Sequence, residues 1–139
     1  MVRIRLRKVG STGQPSFRLV AADRESPRDG RFLENLGYYN PRTHPATIQV
    51  DEGRVFHWLK NGAQPSDSVL QLFRVSGTMA RFERLKAGEA LDVLLAEAKN
   101  AEEARSLTGR TRQDDRIGVA SRGKSKKQRA KEAAEASAQ

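Results

Sequence analysis

The chain has 139 residues, a length typical of one domain, and it is polar: 37% of its residues are hydrophobic and 31% are charged. Its net charge of +9 favours nucleic acid as a partner over an anionic membrane surface. It has no cysteine, which excludes disulfides and thiolate metal sites and favours the reducing cytoplasm. No stretch approaches the roughly 18 apolar residues of a membrane span, and the N-terminus lacks the apolar core of a signal peptide.

The N-terminal stretch predicts a strand with an unusual face. Between residues 2 and 7, apolar side chains alternate with Arg3, Arg5 and Arg7, and this period of two is typical of a strand with one buried face. Three like charges spaced about 7 Å apart on the other face repel each other unless something neutralises them. We interpret this face as one that contacts phosphates; a solvated basic face is the alternative.

Three further strands are predicted in the first 50 residues. A loop at residues 10–15 leads to a strand over 17–22, which suggests an antiparallel hairpin. The run from Ser26 to Gly30 then favours a tight turn, because Pro27 fixes φ and Gly30 tolerates positive φ. An extended run continues from this turn to Asn40, and residues 47–50 form a possible short fourth strand.

The second half of the chain reads as helix. Asp51 is placed to cap a first helix that stops at Gly62, and Ser66 begins a second helix that ends at Gly77. Residues 78–107 are rich in Ala, Glu and Leu, which favours helix. Gly88 divides this region into pieces of about 78–87 and 89–107, and the second piece carries an apolar stripe.

Beyond residue 107 the apolar residues nearly vanish. Residues 116–131 contain no acid and seven basic residues: Arg116, Arg122, Lys124, Lys126, Lys127, Arg129 and Lys131. Such a composition cannot bury enough apolar surface to offset the entropy of ordering. We therefore expect a core at residues 1–80, a helical extension at 81–107 and a basic, disordered tail at 108–139.

The predicted fold is α+β: a small antiparallel sheet of three to four strands with two helices packed on it. Several segments of the sequence also resemble a known protein family. The segments 2–6, 15–23, 26–34 and 36–41, above all the run SPRDGRF followed by GYYNP, resemble the bacterial small-subunit ribosomal protein S16 family. They occur in that family's order and spacing, and the resemblance covers about residues 1–77.

The resemblance implies a structural constituent of the small ribosomal subunit that binds ribosomal RNA and supports subunit assembly and translation. The implied partners are small-subunit ribosomal RNA and neighbouring small-subunit ribosomal proteins, with the chain a monomer within a cytoplasmic ribosome. It implies no enzyme activity, cofactor, membrane or small-molecule substrate. It also implies that the first strand and the turn face RNA, which we carry onto Arg3, Arg5, Arg28 and Arg31.

The candidate RNA-binding residues form a larger basic set, since the planar fork of arginine can bind two phosphate oxygens at once. An exposed tyrosine could in addition stack on an unpaired base. For the tyrosines, Tyr38 and Tyr39, packing within the sheet is the alternative. The predicted residues are Arg3, Arg5, Arg7, Lys8, Arg18, Arg28, Arg31, Tyr38 and Arg42.

Two other functional classes are open to the sequence. The basic tail would suit a nucleic-acid chaperone or histone-like protein, which would bind DNA and RNA alike. The acids Asp23, Glu25, Asp29 and Glu34 could serve a metal-dependent nuclease. However, each acid has arginine neighbours, and charge balance explains them more simply. No phosphate-binding loop, nucleophile elbow or dinucleotide fingerprint is present.

Overall fold

A computed structural model describes residues 1–43 and 45–105. Within these ranges the chain forms one five-stranded sheet and four helices, which confirms the predicted α+β class. The predicted tail at 108–139 lies outside the described residues. The strands are β1 (Val2–Val9), β2 (Ser16–Asp23), β3 (Glu34–Asn40), β4 (Thr47–Val50) and β5 (Gln64–Pro65), and the helices are α1 (Glu52–Lys60), α2 (Asp67–Ser76), α3 (Thr78–Lys86) and α4 (Leu91–Glu103).

The first four strands follow one another as antiparallel neighbours, in the spatial order β4-β3-β2-β1. The β1–β2 hairpin is regular along its whole length, from Val2 opposite Asp23 to Val9 opposite Ser16. A register shift between Leu19 and Val20 interrupts the β2–β3 pairing. The antiparallel arrangement of these four strands agrees with the sequence prediction.

A fifth strand, absent from the sequence prediction, pairs in parallel with the outer edge of β1. Arg3 lies opposite Gln64 and Ile4 opposite Pro65, and the backbone N–H of Ser66 donates to the Ile4 carbonyl at 2.9 Å. A two-residue strand is too short for a period-two pattern, and proline argues against a central strand. Pro65 is tolerated because β5 is an edge strand.

The core lies between one face of the sheet and the helices α1 and α2. Ile4 and Leu36 from the sheet are fully buried together with Val55 of α1 and Phe73 of α2. The predicted cap of α1 is present, since the Asp51 carboxylate accepts from the Arg54 backbone N–H at 3.2 Å. The helical apolar faces thus cover the apolar side of the β1 alternation, as the pattern indicates.

The helices beyond residue 77 follow the predicted division. α3 ends at Lys86 and α4 begins at Leu91, and Gly88 between them has a φ of +105°. Of the apolar stripe on α4, Leu94 is completely buried while Leu91 is 41% exposed. The boundary near residue 80 between core and extension stays a prediction. In the described ranges, no helix has the length and apolar content needed to cross a membrane.

Candidate nucleic-acid interface

Arg3, Arg5, Arg7 and Arg18 lie on the sheet face opposite α1 and α2, and a loop covers part of that face. Directly opposed residues of antiparallel strands share a face, so Val20 and Ala22 lie on the same side as the arginines of β1. Both are almost completely buried, at 1% and 0% exposure. The loop of residues 24–33 lies over this part of the face: Arg5 and Arg7 donate to its Pro27 and Asp29 carbonyls, and the Phe32 ring lies on Arg7. At the end of that loop the Leu33 N–H donates to the Ala21 carbonyl at 2.7 Å.

The basic turn, Pro27–Gly30, lies in the middle of this loop. The N–H of Gly30 donates to the Pro27 carbonyl at 3.1 Å, which closes a four-residue turn. Inside it, Arg28 makes two hydrogen bonds to Asp29, of 3.2 and 3.0 Å. Both side chains remain more than 60% exposed. The predicted tight turn is present and presents Arg28 to solvent, but Gly30 does not adopt the positive φ that the sequence allowed.

The electrostatics of the turn are dominated by cations. The hydrogen bond from Arg28 lowers the pKa of the Asp29 carboxyl, and the positive charges of Arg28, Arg7 and Lys8 lower it further. Three cations therefore surround a single carboxylate. The excess of positive charge makes this surface attractive to an anion.

The arginines of β1 do not share one environment. Arg3 is exposed, and in the described part of the chain its guanidinium makes neither a hydrogen bond nor an ion pair. Arg5 is half-buried and donates to the Pro27 carbonyl at 2.8 Å. Arg7 is half-buried too and donates to the Asp29 carbonyl at 3.2 Å. Alternation predicts which face these side chains occupy, but not that a loop covers two of them.

The uncovered part of the face carries a row of side chains that crosses β2, β3 and β4 and begins beside the covered Arg7. Arg7 of β1 lies opposite Arg18 of β2, Arg18 opposite Tyr38 of β3, and Tyr38 opposite Gln49 of β4. A groove of about 440 Å³ runs beside this row, and Glu102 of α4 forms part of its rim. Gln49 and Glu102 are absent from the predicted set, because neither belongs to a basic or aromatic pattern in the sequence.

The two tyrosines lie on opposite faces of β3. The Tyr39 ring stacks on Phe17, with 6.0 Å between the ring centroids, so Tyr39 packs within the sheet. Tyr38 is half-buried, lines the groove and has Arg18 and Gln49 as its cross-strand neighbours. Of the pair, Tyr38 is thus the one whose surroundings are polar and open.

Lys8 and Arg42 lie at the far end of the sheet from Arg3. Lys8 is exposed and paired with Phe17 near the β1–β2 hairpin loop, so it lies on the opposite face of β1 from Arg7. Arg42 is half-buried and follows the end of β3, where its backbone N–H donates to the Asn40 side chain at 3.0 Å. Asn40 thus serves the turn after β3. The remaining predicted residue, Arg31, is exposed and makes no side-chain hydrogen bond to any described residue.

Comparison with known proteins identifies the family of the chain. The sequence matches the family model described as Ribosomal protein S16 over residues 8–66. The small ribosomal subunit protein bS16 of Halothermothrix orenii is 56% identical over 81 residues, which make up 58% of this chain and 92% of that protein. Its namesake in Syntrophomonas wolfei is 52% identical over 84 residues, 60% of this chain and 96% of that protein. This chain belongs to the ribosomal protein S16 family.

Proteins of the S16 family are structural, non-enzymatic components of the ribosome. The family resemblance and the prediction that the chain is not an enzyme are both confirmed. The relatives align over nearly their whole length but match less than two thirds of this chain. Because the family match begins at residue 8, most of the additional length of this S16 protein lies at its C-terminal end.

Proposed function

We propose that this protein is a structural constituent of the small ribosomal subunit, that it binds ribosomal RNA through the turn and the uncovered sheet face, and that it supports subunit assembly. The observation that carries the proposal is the 56% identity to a small ribosomal subunit protein along 92% of that protein's length. Cytoplasmic ribosomes would then be its location, with other small-subunit proteins as neighbours.

The contact residues divide into two groups. Arg28 and Arg31 would meet RNA from the turn, and Arg3 and Arg18 from the sheet, because all four are exposed. Only Arg28 among them is paired with an acid of the described residues. Arg42, and Lys8 from the other face of β1, would add contacts at the hairpin end of the sheet. Tyr38 would stack on an unpaired base at the groove, beside the side-chain amide of Gln49.

The mechanism is electrostatic. Arginines neutralise phosphates and release the counterions condensed on them, so binding weakens steeply as salt rises. The guanidinium fork also fixes orientation, since it can hold two phosphate oxygens at once. Because the deep groove of an RNA helix is closed to side chains, shape rather than sequence would be recognised there. Such a protein holds together RNA helices that otherwise repel each other.

The first test is sedimentation of the intact protein with ribosomal subunits in a gradient at about 0.2 M salt, where non-specific phosphate contacts are weakened. One copy per small subunit is the expected result. If the protein stays at the top of the gradient or spreads over all nucleic acid, the ribosomal proposal is wrong.

Two variants then separate this proposal from a histone-like binder. R28A is expected to weaken binding to small-subunit ribosomal RNA and to lower the slope of log affinity against log salt by about one. R74A is the matched control, because Arg74 is an exposed arginine on α2. Equal losses from R28A and from K126A in the tail, with equal affinity for DNA, would support the histone-like alternative.

A further inference from the structure

We infer that Arg5 and Arg7 are positioning residues: they hold the Pro27–Gly30 turn on the sheet so that Arg28 and Arg31 are presented to RNA. This inference rests on the proposed function, in which the turn contacts RNA. It assigns the arginines of β1 to two different tasks, although the sequence pattern makes them look equivalent.

The hydrogen bonds form a clamp with two points. The Arg5 guanidinium donates to the Pro27 carbonyl at 2.8 Å, and the Arg7 guanidinium donates to the Asp29 carbonyl at 3.2 Å. Donors two residues apart on one strand thus meet acceptors two residues apart in the turn. Side chains at i and i+2 of a strand lie about 7 Å apart on the same face. The extended backbone of β1 therefore places the two guanidinium donors at a spacing that fits the Pro27 and Asp29 carbonyls.

Burial supports the same assignment. The Arg5 Nε atom has almost no exposed surface and has no hydrogen-bond partner in the described part of the chain, so it cannot reach a phosphate without the loop moving. The Arg7 guanidinium lies 5.1 Å from the centre of the Phe32 ring, within the range of a cation–π contact. Both guanidinium groups are therefore engaged by the loop that they support.

The choice of acceptor has an electrostatic consequence. The clamp ends on neutral carbonyl oxygens, so among the described residues the charge of Arg5 is not paired with an acid, and the charge of Arg7 is offset only in part, by the Asp29 carboxylate that it shares with Arg28 and Lys8. These charges remain beneath the turn, where they add to the field of Arg28. A carboxylate in place of the carbonyls would hold the turn equally well, but it would remove the attraction for phosphate.

Few other bonds tie this loop to the sheet. The Arg24 N–H donates to the Met1 carbonyl at its start, and the Leu33 N–H donates to the Ala21 carbonyl at its end. Near the start, Asp23 at the end of β2 also accepts from the backbone N–H groups of Glu25 and Ser26, at 3.4 and 3.1 Å. From Pro27 to Phe32, within the described residues, the polar contacts from the sheet come from Arg5 and Arg7. Losing the clamp would therefore free the turn while leaving its ends attached.

Hydrogen exchange of the free protein tests the clamp without RNA. In R5M the Gly30 amide is expected to exchange about tenfold faster or more, because a hydrogen bond from a charged group is lost. R3M is the matched control, since Arg3 shares the strand and face but contacts no turn residue; it should leave the Gly30 amide unchanged. Amides of the β1–β2 ladder should be unchanged in both variants. R7M provides a second variant if R5M folds poorly.

A double-mutant cycle tests the link to function, with in vitro transcribed small-subunit ribosomal RNA as the probe. If Arg5 acts through the turn, R5M should lower RNA affinity in the natural protein but should cause no further loss in the R28A/R31A background. The loss in R3M, a direct contact, should persist in that background. Full additivity of R5M with R28A/R31A would overturn the positioning role.

The two measurements keep the inference separate from the proposed function. If R28A/R31A binds RNA as tightly as the natural protein, the turn does not contact RNA. Arg5 and Arg7 would then have no RNA contact to position. The exchange data would still decide whether Arg5 holds the turn. Unchanged exchange at Gly30 in both R5M and R7M would overturn the clamp itself, whatever the RNA data show.

Discussion

Arg81 of α3 donates two hydrogen bonds, of 2.8 and 2.6 Å, to the carboxylate of Glu52 at the start of α1. Both side chains are less than a tenth exposed. The hydroxyl of Thr78 also donates to Glu52, at 2.7 Å, and the hydrogen bond to Glu52 raises the pKa of Arg81. The pair thereby joins α3 to the start of α1.

The R81M variant is expected to lower the free energy of unfolding by about 3–5 kcal/mol, because it leaves the Glu52 charge buried without its partner. Urea unfolding followed through Trp58, the single tryptophan, measures this. R84M is the control: Arg84 pairs with Glu89 and Glu97 but is 43% exposed, so its loss should cost about 1 kcal/mol or less. The double variant E52M/R81M should regain part of the loss, since no buried charge remains unpaired.

The first four strands, the first two helices and the cap at Asp51 could be predicted because each depends on neighbours in the sequence. Alternation in β1 indicates its buried face, and Gly77 marks the end of α2 with a φ of +79°. The Glu52–Arg81 pair could not be predicted, because 29 residues separate its members. The task of Arg5 depends equally on a turn 22 residues away, so the pattern in β1 alone cannot reveal it.

Gly37 is expected to be irreplaceable for a steric reason. A Cβ at this position would lie 2.1 Å from the backbone oxygen of Gln49 on β4, and backbone atoms of a paired strand cannot move aside cheaply. G37A should therefore lower the free energy of unfolding by about 1–3 kcal/mol or more.

G53A is the matched control for G37A. A Cβ at Gly53, in the first turn of α1, would have its nearest neighbour at 3.6 Å, and alanine is favoured over glycine in helices by about 0.5–1 kcal/mol. This variant should be as stable as the natural protein or slightly more stable. Urea unfolding of both variants makes the comparison, and equal stability of the two would refute the steric argument.

Tyr38 provides a test of base stacking within the proposed interface. Y38L should weaken binding to small-subunit ribosomal RNA by about 1–3 kcal/mol, the usual contribution of one stacked base. Y38F should bind like the natural protein, because the ring provides the stacking surface. Fluorescence titration at constant salt measures both.

Y39L distinguishes stacking on RNA from packing in the sheet. Tyr39 stacks on Phe17, so Y39L should lower the free energy of unfolding and leave RNA affinity less affected than Y38L does. If Y38L instead destabilises the fold and binds RNA normally, Tyr38 belongs to the packing of the sheet.

The hydrogen bonds of the Glu34 carboxylate predict how the stability of the fold depends on pH. Its carboxylate accepts two hydrogen bonds from Arg54, of 2.7 and 2.9 Å, and one from the Trp58 indole at 2.6 Å. These hydrogen bonds, first from Arg54 and then from Trp58, lower the pKa of Glu34 below its ordinary value of 4.5. The carboxylate thereby joins β3 to α1 only while it is ionised.

The sign of the effect follows from proton binding. Below its ordinary pKa, Glu34 of the unfolded chain takes up a proton while the folded protein still resists it, so acid favours unfolding. The stabilisation is complete above pH 4.5 and is lost as the pH falls through the lower, folded-state pKa. The E34Q variant should be less stable at pH 7 and should lose less stability than the natural protein between about pH 5 and pH 3. E25Q is the control, since the Glu25 side chain accepts no hydrogen bond in the described residues. Parallel stability curves for E34Q and the natural protein over this interval would show that Glu34 does not cause the acid sensitivity.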